Sequence, residues 1–211
     1  MSAAGSHAAT HRVGAVLGLV CSFAVTGAFA ENSSDTPPPW VGEARAAAGQ
    51  LAGRLMPTLQ AALQSGGPSN GIAVCSTEAP AIAREVSRPG FEIERTALRV
   101  RNPANAADAW EKEVLEDFER QIRAGAEIAA LEAWSVELRD GREFGRWMKP
   151  ILTAPMCTTC HGTEIDAELA TTIRTHYPDD QATGFRPGEL RGAFTATIEL
   201  PVHDRPGDDS P

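Results

Sequence analysis

The stretch Ala154-Pro155-Met156-Cys157-Thr158-Thr159-Cys160-His161-Gly162 limits what this chain can be more than any other. Two cysteines spaced C-x-x-C and followed at once by histidine can accept a covalent haem, bind a metal such as zinc, or close a disulfide. For haem the spacing has a chemical reason. Two thiols add across two vinyl groups to give thioethers, and the adjacent histidine then lies under the iron as proximal ligand. Its second ring N–H goes to a carbonyl or carboxylate. A four-cysteine zinc site needs a second C-x-x-C, and the chain has none. No thioredoxin-like strand–CxxC–helix opening with an aromatic precedes the motif. Covalent haem therefore leads, with a structural or redox disulfide and zinc as the alternatives.

The N-terminus decides which compartment applies. Residues 1–12 carry one arginine and no acid, residues 13–25 are an apolar run too short to span a bilayer, and Ala28-Phe29-Ala30 is an A-x-A cleavage site. This is a secretory signal peptide with cleavage after Ala30; the alternative is an uncleaved anchor. A lipoprotein reading of Cys21 is weak, because Val20 before it is not small. The mature chain is then periplasmic or secreted, without stable membrane insertion, in a compartment where haem is attached and disulfides persist. Three cysteines remain there, Cys75, Cys157 and Cys160, so disulfides cannot use them all.

Composition is that of an ordinary globular chain, with 42% hydrophobic and 22% charged residues. The net charge of −9, made more negative by one when the leader leaves, disfavours nucleic acid and anionic membranes as partners.

Along the mature chain, residues 31–40 are polar and Pro-rich and read as a linker. A domain over 41–202 follows, and residues 203–211 form an acidic Gly/Pro tail expected to be disordered. Leu51, Leu55, Leu59 and Leu63 recur at i+4 and predict a long N-terminal helical region. Pro57 should kink or split it, and residues 65–71 should end it. Ser76-Thr77 resemble an N-cap, which puts Cys75 at the mouth of a short helix reaching Val86. Residues 88–103 predict a strand. Residues 102–127 predict an amphipathic helix with Trp110, Val114, Phe118 and Ile122 on one stripe. Residues 131–153 predict a hairpin turning at Asp140-Gly141, residues 164–178 a helix, and residues 191–202 a last strand. The fold class is α+β: an antiparallel sheet with flanking helices.

A haem held by His161 leaves a sixth iron position. Met56, Met148, Met156, His176, His203 and Cys75 are the candidates. The methionines have ready readings as core or neighbouring residues, His176 as a helix-end residue and His203 as part of the tail. Cys75 is the odd cysteine, and a helix N-terminus there would favour its thiolate, a soft anionic ligand that favours ferric iron. A buried free cysteine in the apolar run Ile72–Cys75 is the alternative.

Five stretches carry a wider likeness: GIAVCSTEAPAIAREVS, ERTALRVRNPANAADAWE, GREFGRWMKPI, APMCTTCHG and YPDDQATGFRPGELRGAFT. In number and order, over about residues 45–200, the chain resembles a family of secreted single-haem c-type proteins long catalogued as a domain of unknown function. That resemblance implies a PAS-like α+β fold. It also implies one haem c bound through Cys157 and Cys160, His161 as proximal iron ligand and Cys75 as distal ligand. Asn102, Asn105, Lys149 and Tyr177 fall in the same stretches. Asn102-Pro103 and Tyr177-Pro178 also have ordinary readings at helix ends. The family domain often occurs fused to a membrane segment and a signalling output, whereas this chain reads as a free-standing version.

The leading function is a sensor of redox state or a diatomic gas, acting through loss of the thiolate ligand. A simple electron carrier docking a basic partner through its acidic surface is the alternative. A peroxidase-like enzyme ranks lower, since no distal His or Arg is recognisable by motif, and a haem-free thiol or zinc module ranks last. The expected partners are haem and a redox or separate signalling protein.

Overall fold

A computed structural model describes residues 36–201. The signal peptide, the first part of the linker and the tail over 203–211 lie outside the described residues. Within them no helix is long and apolar enough to cross a membrane.

Helix α1 (Pro39–Ala73) begins inside the expected linker, with Trp40 packed edge-on to Trp134 at a centroid separation of 6.0 Å. Pro57 does not split it. The dihedrals stay helical there, although the ring removes the N–H that would bond back to Gly53. The Thr58 hydroxyl donates to the Arg54 carbonyl at 2.9 Å. The true break is at Gly66 and Gly67 (φ 67°, ψ −166°), a conformation that only glycine adopts readily. Pro68 then restarts the helix with its φ already set.

The restarted helix does not stop before Cys75. It runs through a π-helical turn, Val74–Glu78, directly into α2 (Ala79–Val86). Ser76 and Thr77 are therefore not N-caps. Both hydroxyls donate back to the Ala73 carbonyl, at 3.0 and 2.8 Å, as such residues do inside helices.

Strands β1 (Phe91–Thr96), β2 (Ala133–Arg139), β3 (Arg142–Leu152) and β4 (Leu190–Glu199) form one antiparallel sheet in the order β1-β4-β3-β2. The β2–β3 hairpin turns at Asp140 (φ 51°) and Gly141 (φ 77°), two left-handed residues that match the twist of the strands. Helix α3 (Ala109–Arg123) carries a reciprocal capping box between Asp108 and Glu111. The short α4 (Thr158–His161) carries Cys160 and His161, with Cys157 as its N-cap residue at the end of a 3₁₀ turn, and α5 (Ala167–His176) is capped by Asp166. The chain is thus α+β: a long N-terminal helix and a four-stranded antiparallel sheet with flanking helices.

Each face of the sheet has its own core. Helices α1 and α2 cover one face through Val41, Leu51, Leu55 and Ile82 against Phe91, Ile93, Trp147 and Ile198. Helix α3 covers the other through Leu115 and Phe118 against Met148 and Ala193. The expected α3 stripe is only partly right. Phe118 is buried and Trp110, Val114 and Ile122 pack at the margin, but Glu111 is buried as well. Its carboxylate accepts from Thr96 Oγ1 at 2.9 Å and Thr195 Oγ1 at 2.7 Å, and it faces Arg146 at 3.3 Å. Arg146 also pairs with Asp108 at 2.7 Å and lies over the Trp110 ring. A third small cluster joins Ile72 to Leu169, Ile173 and Tyr177, and docks α5 on the restarted helix.

Strands β1 and β4 approach closely where β4 begins. A Cβ on Gly192 would sit 2.4 Å from the Thr96 carbonyl oxygen and 3.1 Å from Ala97 Cβ. Gly192→Ala is expected to destabilise the fold by about 2 kcal/mol through this backbone overlap. The effect should appear as a lower midpoint of denaturant unfolding at constant slope. An unchanged midpoint would mean that the two strands part at no cost.

Candidate functional site

The end of β1, the end of β3 and the start of β4 meet at one edge of the molecule, and a cavity of about 210 Å³ opens there. Leu55, Leu59 and Leu63 of α1 form one wall, so the leucine stripe passes from sheet core to cavity lining along the helix. Cys75 enters from the helical arm, and Cys157, Cys160 and His161 enter from the segment after β3. All four sequence-predicted residues line the same space, although Cys75 and the motif lie far apart in the chain.

The motif is held by backbone. Cys157 N donates to Ala154 O at 2.9 Å, and Gly162 N donates to Thr158 O at 2.8 Å, which winds residues 154–162 into two tight turns. The loop 177–185 then closes over them. Phe185 N donates to His161 O at 2.9 Å, and Gly184 N to Gly162 O at 2.8 Å. Arg101, itself buried, donates from one guanidinium nitrogen to the Cys160 carbonyl at 2.6 Å and pairs with buried Asp180 at 3.0 Å. This pair fastens the motif to the loop that carries Ala182.

His161 Nδ1 lies 2.7 Å from the Ala182 carbonyl, which can only accept, so Nδ1 carries the proton and Nε2 keeps its lone pair. Burial, together with the cations Arg191 and Arg101, pushes this imidazole down to about 3, against the opposing effect of the Ala182 hydrogen bond. The ring is neutral at neutral pH, the form that ligates metals. Phe185 stands edge-on to it, at 6.4 Å and 84°.

Cys75 behaves differently from the expectation based on a helix mouth. It sits inside a continuous helical run, and burial pushes its thiol up, against the nearby cations Arg95, Arg101 and Arg191. Left to itself it is a thiol; only a bound metal centre would hold it as thiolate. Cys160 is pushed up as well, chiefly by burial. All three cysteines of the described residues are free of disulfides.

The other ligand candidates separate cleanly. Met148 is fully buried against α3 and does not line the cavity, and His176 is exposed on α5. Met56 and Met156 do line the cavity, at a partly exposed rim. His203 lies outside the described residues. Of the four residues that shared the matching stretches, Lys149 donates to the Ala129 carbonyl at 2.6 Å and takes no part in the cavity. Asn102 caps a 3₁₀ turn through its side chain, and both it and Asn105 reach the cavity lining. Tyr177 ends α5 as its Pro178 neighbour suggests, but it is also buried against the cavity and hydrogen-bonded to Ser76 beside Cys75.

Sequence reasoning missed the arginines. Arg95, Arg101 and Arg191 all line the cavity; they lie within the matching stretches but were not singled out there. The signal that could have found them is three cations of those stretches in or beside strand ends that the hydrophobic pattern would fill with apolar residues.

The Tll0287-like family matches residues 24–199, most of the chain. The chain belongs to this family. Among solved structures, that of the cyanobacterial heme-protein Tll0287 is similar at a TM-score of 0.58 and 24% identity, over 78% of this chain and 98% of that one. At that identity the likeness speaks for the fold. No curated protein matches the chain. The family resemblance read from the five stretches therefore holds.

The donor set of this cavity fits a covalent haem. It offers two thiols at vinyl-addition spacing, a neutral imidazole with a free Nε2, a third sulfur from another element, and apolar walls. It does not fit a four-ligand zinc site as well, since no cluster of three or more His, Cys, Asp or Glu able to hold a metal ion occurs among the described residues.

Proposed function

We propose that this chain is a secreted or periplasmic haem-binding protein, with one haem c attached through Cys157 and Cys160. In this reading His161 is the proximal iron ligand, Cys75 the distal one, and the protein senses redox state or a diatomic gas. The observation that carries it is the convergence of Cys75 and the C-x-x-C-H motif on one apolar cavity. Membership of a family whose solved relative is a heme-protein supports it. Bound haem would supply a redox-active iron with an exchangeable sixth position.

The protein's own residues do the rest. Ala182 holds the His161 ring in one tautomer, and Arg101 with Asp180 holds Ala182 in place. Cys75 is carried by a π-helical turn, a geometry often found at functional positions. That turn continues into α2, whose Ile82 packs in the main core beside β1. Binding and release of Cys75 thus act on the arm from Pro68 to Val86, a route from ligand change to shape change on what we read as a PAS-like scaffold.

An electron carrier is the second reading. The partly exposed Met56 and Met156 at the cavity rim and the net charge of −9 favour it, since they suit docking of a basic partner near the haem edge. We assign no catalytic residue.

Haem staining after denaturing electrophoresis tests attachment: the mature chain, made where haem is attached, should keep its stain, and a colourless band sinks the proposal. A redox titration followed by optical and paramagnetic-resonance spectra then separates the two functions. Loss of six-coordination on reduction is the sensor result. Six-coordination in both states with fast self-exchange is the carrier result and overturns the sensor reading.

A further inference from the structure

The cavity's charge is opposite to that of the molecule around it. The chain has 28 acidic against 19 basic residues, yet three arginines and no Asp or Glu line this cavity. Two of the three, Arg95 and Arg191, make no ion pair among the described residues, although Asp180, paired with Arg101, also acts on Arg191. The Arg95 side chain is half-buried and makes no hydrogen bond or ion pair among the described residues. Arg191, also half-buried, donates once, to the Arg99 carbonyl at 3.2 Å, and otherwise lies near the Phe185 ring. Arg101 is spoken for by Asp180 and two carbonyls, but its buried Nε still has no partner.

Burying guanidinium groups beside one another without anions is costly, and a structure keeps such groups when something else supplies the negative charge. Arg95 and Arg191 belong to β1 and β4, which are neighbours in the sheet, and Arg101 follows β1. The cations thus gather on the sheet side of the cavity, while the leucines of α1 line another wall. The matching ligand is a flat apolar body that carries carboxylates along one edge.

We propose that Arg95 and Arg191 form a cation cradle that binds the two carboxylates of the porphyrin. The proposal rests on the haem reading above. It assigns to the cradle the choice of which porphyrin edge enters first, with the vinyl edge left to Cys157 and Cys160.

The probes are iron protoporphyrin IX and its dimethyl ester, which differ only in the two carboxylates. They are titrated into the full mature chain carrying Cys157→Ala and Cys160→Ala, so that binding is reversible. The free acid should bind at least tenfold more tightly than the ester. Arg95→Gln or Arg191→Gln should erase most of that preference, and Arg95→Lys should keep much of it. Arg95 has no protein partner, so Arg95→Gln should also leave the melting temperature of the haem-free chain unchanged or raised. An equal preference in wild-type and Gln variants, with both porphyrins bound, overturns the cradle and leaves the haem reading intact. Binding of neither porphyrin, together with a colourless wild-type band on the stained gel, overturns both.

Discussion

Cys75→Ala is expected to keep its covalent haem and lose its distal ligand. Cys157, Cys160 and His161 enter from the segment after β3 and do not depend on the helical arm, so staining on a denaturing gel should match wild type. The oxidised spectrum should change completely: a low-spin thiolate signal in the wild type, and none in the variant. The reduction potential should rise, because an anionic sulfur stabilises ferric iron more than ferrous. A shift on the order of 0.1 V is reasonable within the roughly 0.8 V that axial ligands command. Burial raises the Cys75 thiol, so binding to iron has to displace its proton. Identical oxidised spectra for wild type and variant would remove Cys75 from the coordination sphere. Met56 and Met156 at the rim would then be the residues to substitute next.

Glu111→Ala is expected to cost about 3 kcal/mol of folding stability. The carboxylate is the centre of the buried polar cluster beneath α3. It accepts the Thr96 and Thr195 hydroxyls, accepts the Asp108 N–H at 3.2 Å as half of the capping box, and faces Arg146. Truncation strands the buried Thr195 hydroxyl, leaves Thr96 only the Asn105 carbonyl at 3.5 Å, and weakens the anchoring of a buried guanidinium, which keeps Asp108 as its remaining close partner. Each buried group left without a partner costs about 1–3 kcal/mol. Glu111→Gln preserves an acceptor for one threonine and should lose roughly half as much. Denaturant unfolding at constant slope measures both. A loss under about 1 kcal/mol for the alanine variant would show that water replaces the carboxylate. Thr96 also borders the cavity, so the melt is best done with and without haem attached.

Much of the architecture could be read before any coordinates. Strict local signals did this work: the Asp140-Gly141 turn and the i+4 leucines each report on a few neighbouring residues. The errors came where local signals conflict. Pro57 looked like the helix breaker, but a helix can continue past a proline when the lost N–H is tolerated, whereas the Gly66-Gly67 pair leaves helical space altogether. Ser76-Thr77 looked like a cap, but a hydroxyl serves equally to bond back within a helix. The stripe on α3 hid Glu111, because a periodicity argument assigns charged residues to water unless partners from distant strands are known.

The sequence by itself places two thiols and an imidazole together in one short motif. C-x-x-C-H is contiguous, so its spacing already states which atoms can bond to what, and five ordered stretches state the family. Only the tertiary structure could decide that Cys75 lines the same cavity as that motif and that Arg95 and Arg191 lie there without an ion pair among the described residues. It also decided that Ala182 sets the tautomer of His161. Those relations join residues far apart in the chain, and no local pattern encodes them. They arise from the packing of the helical arm, two strand ends and one loop around a common space.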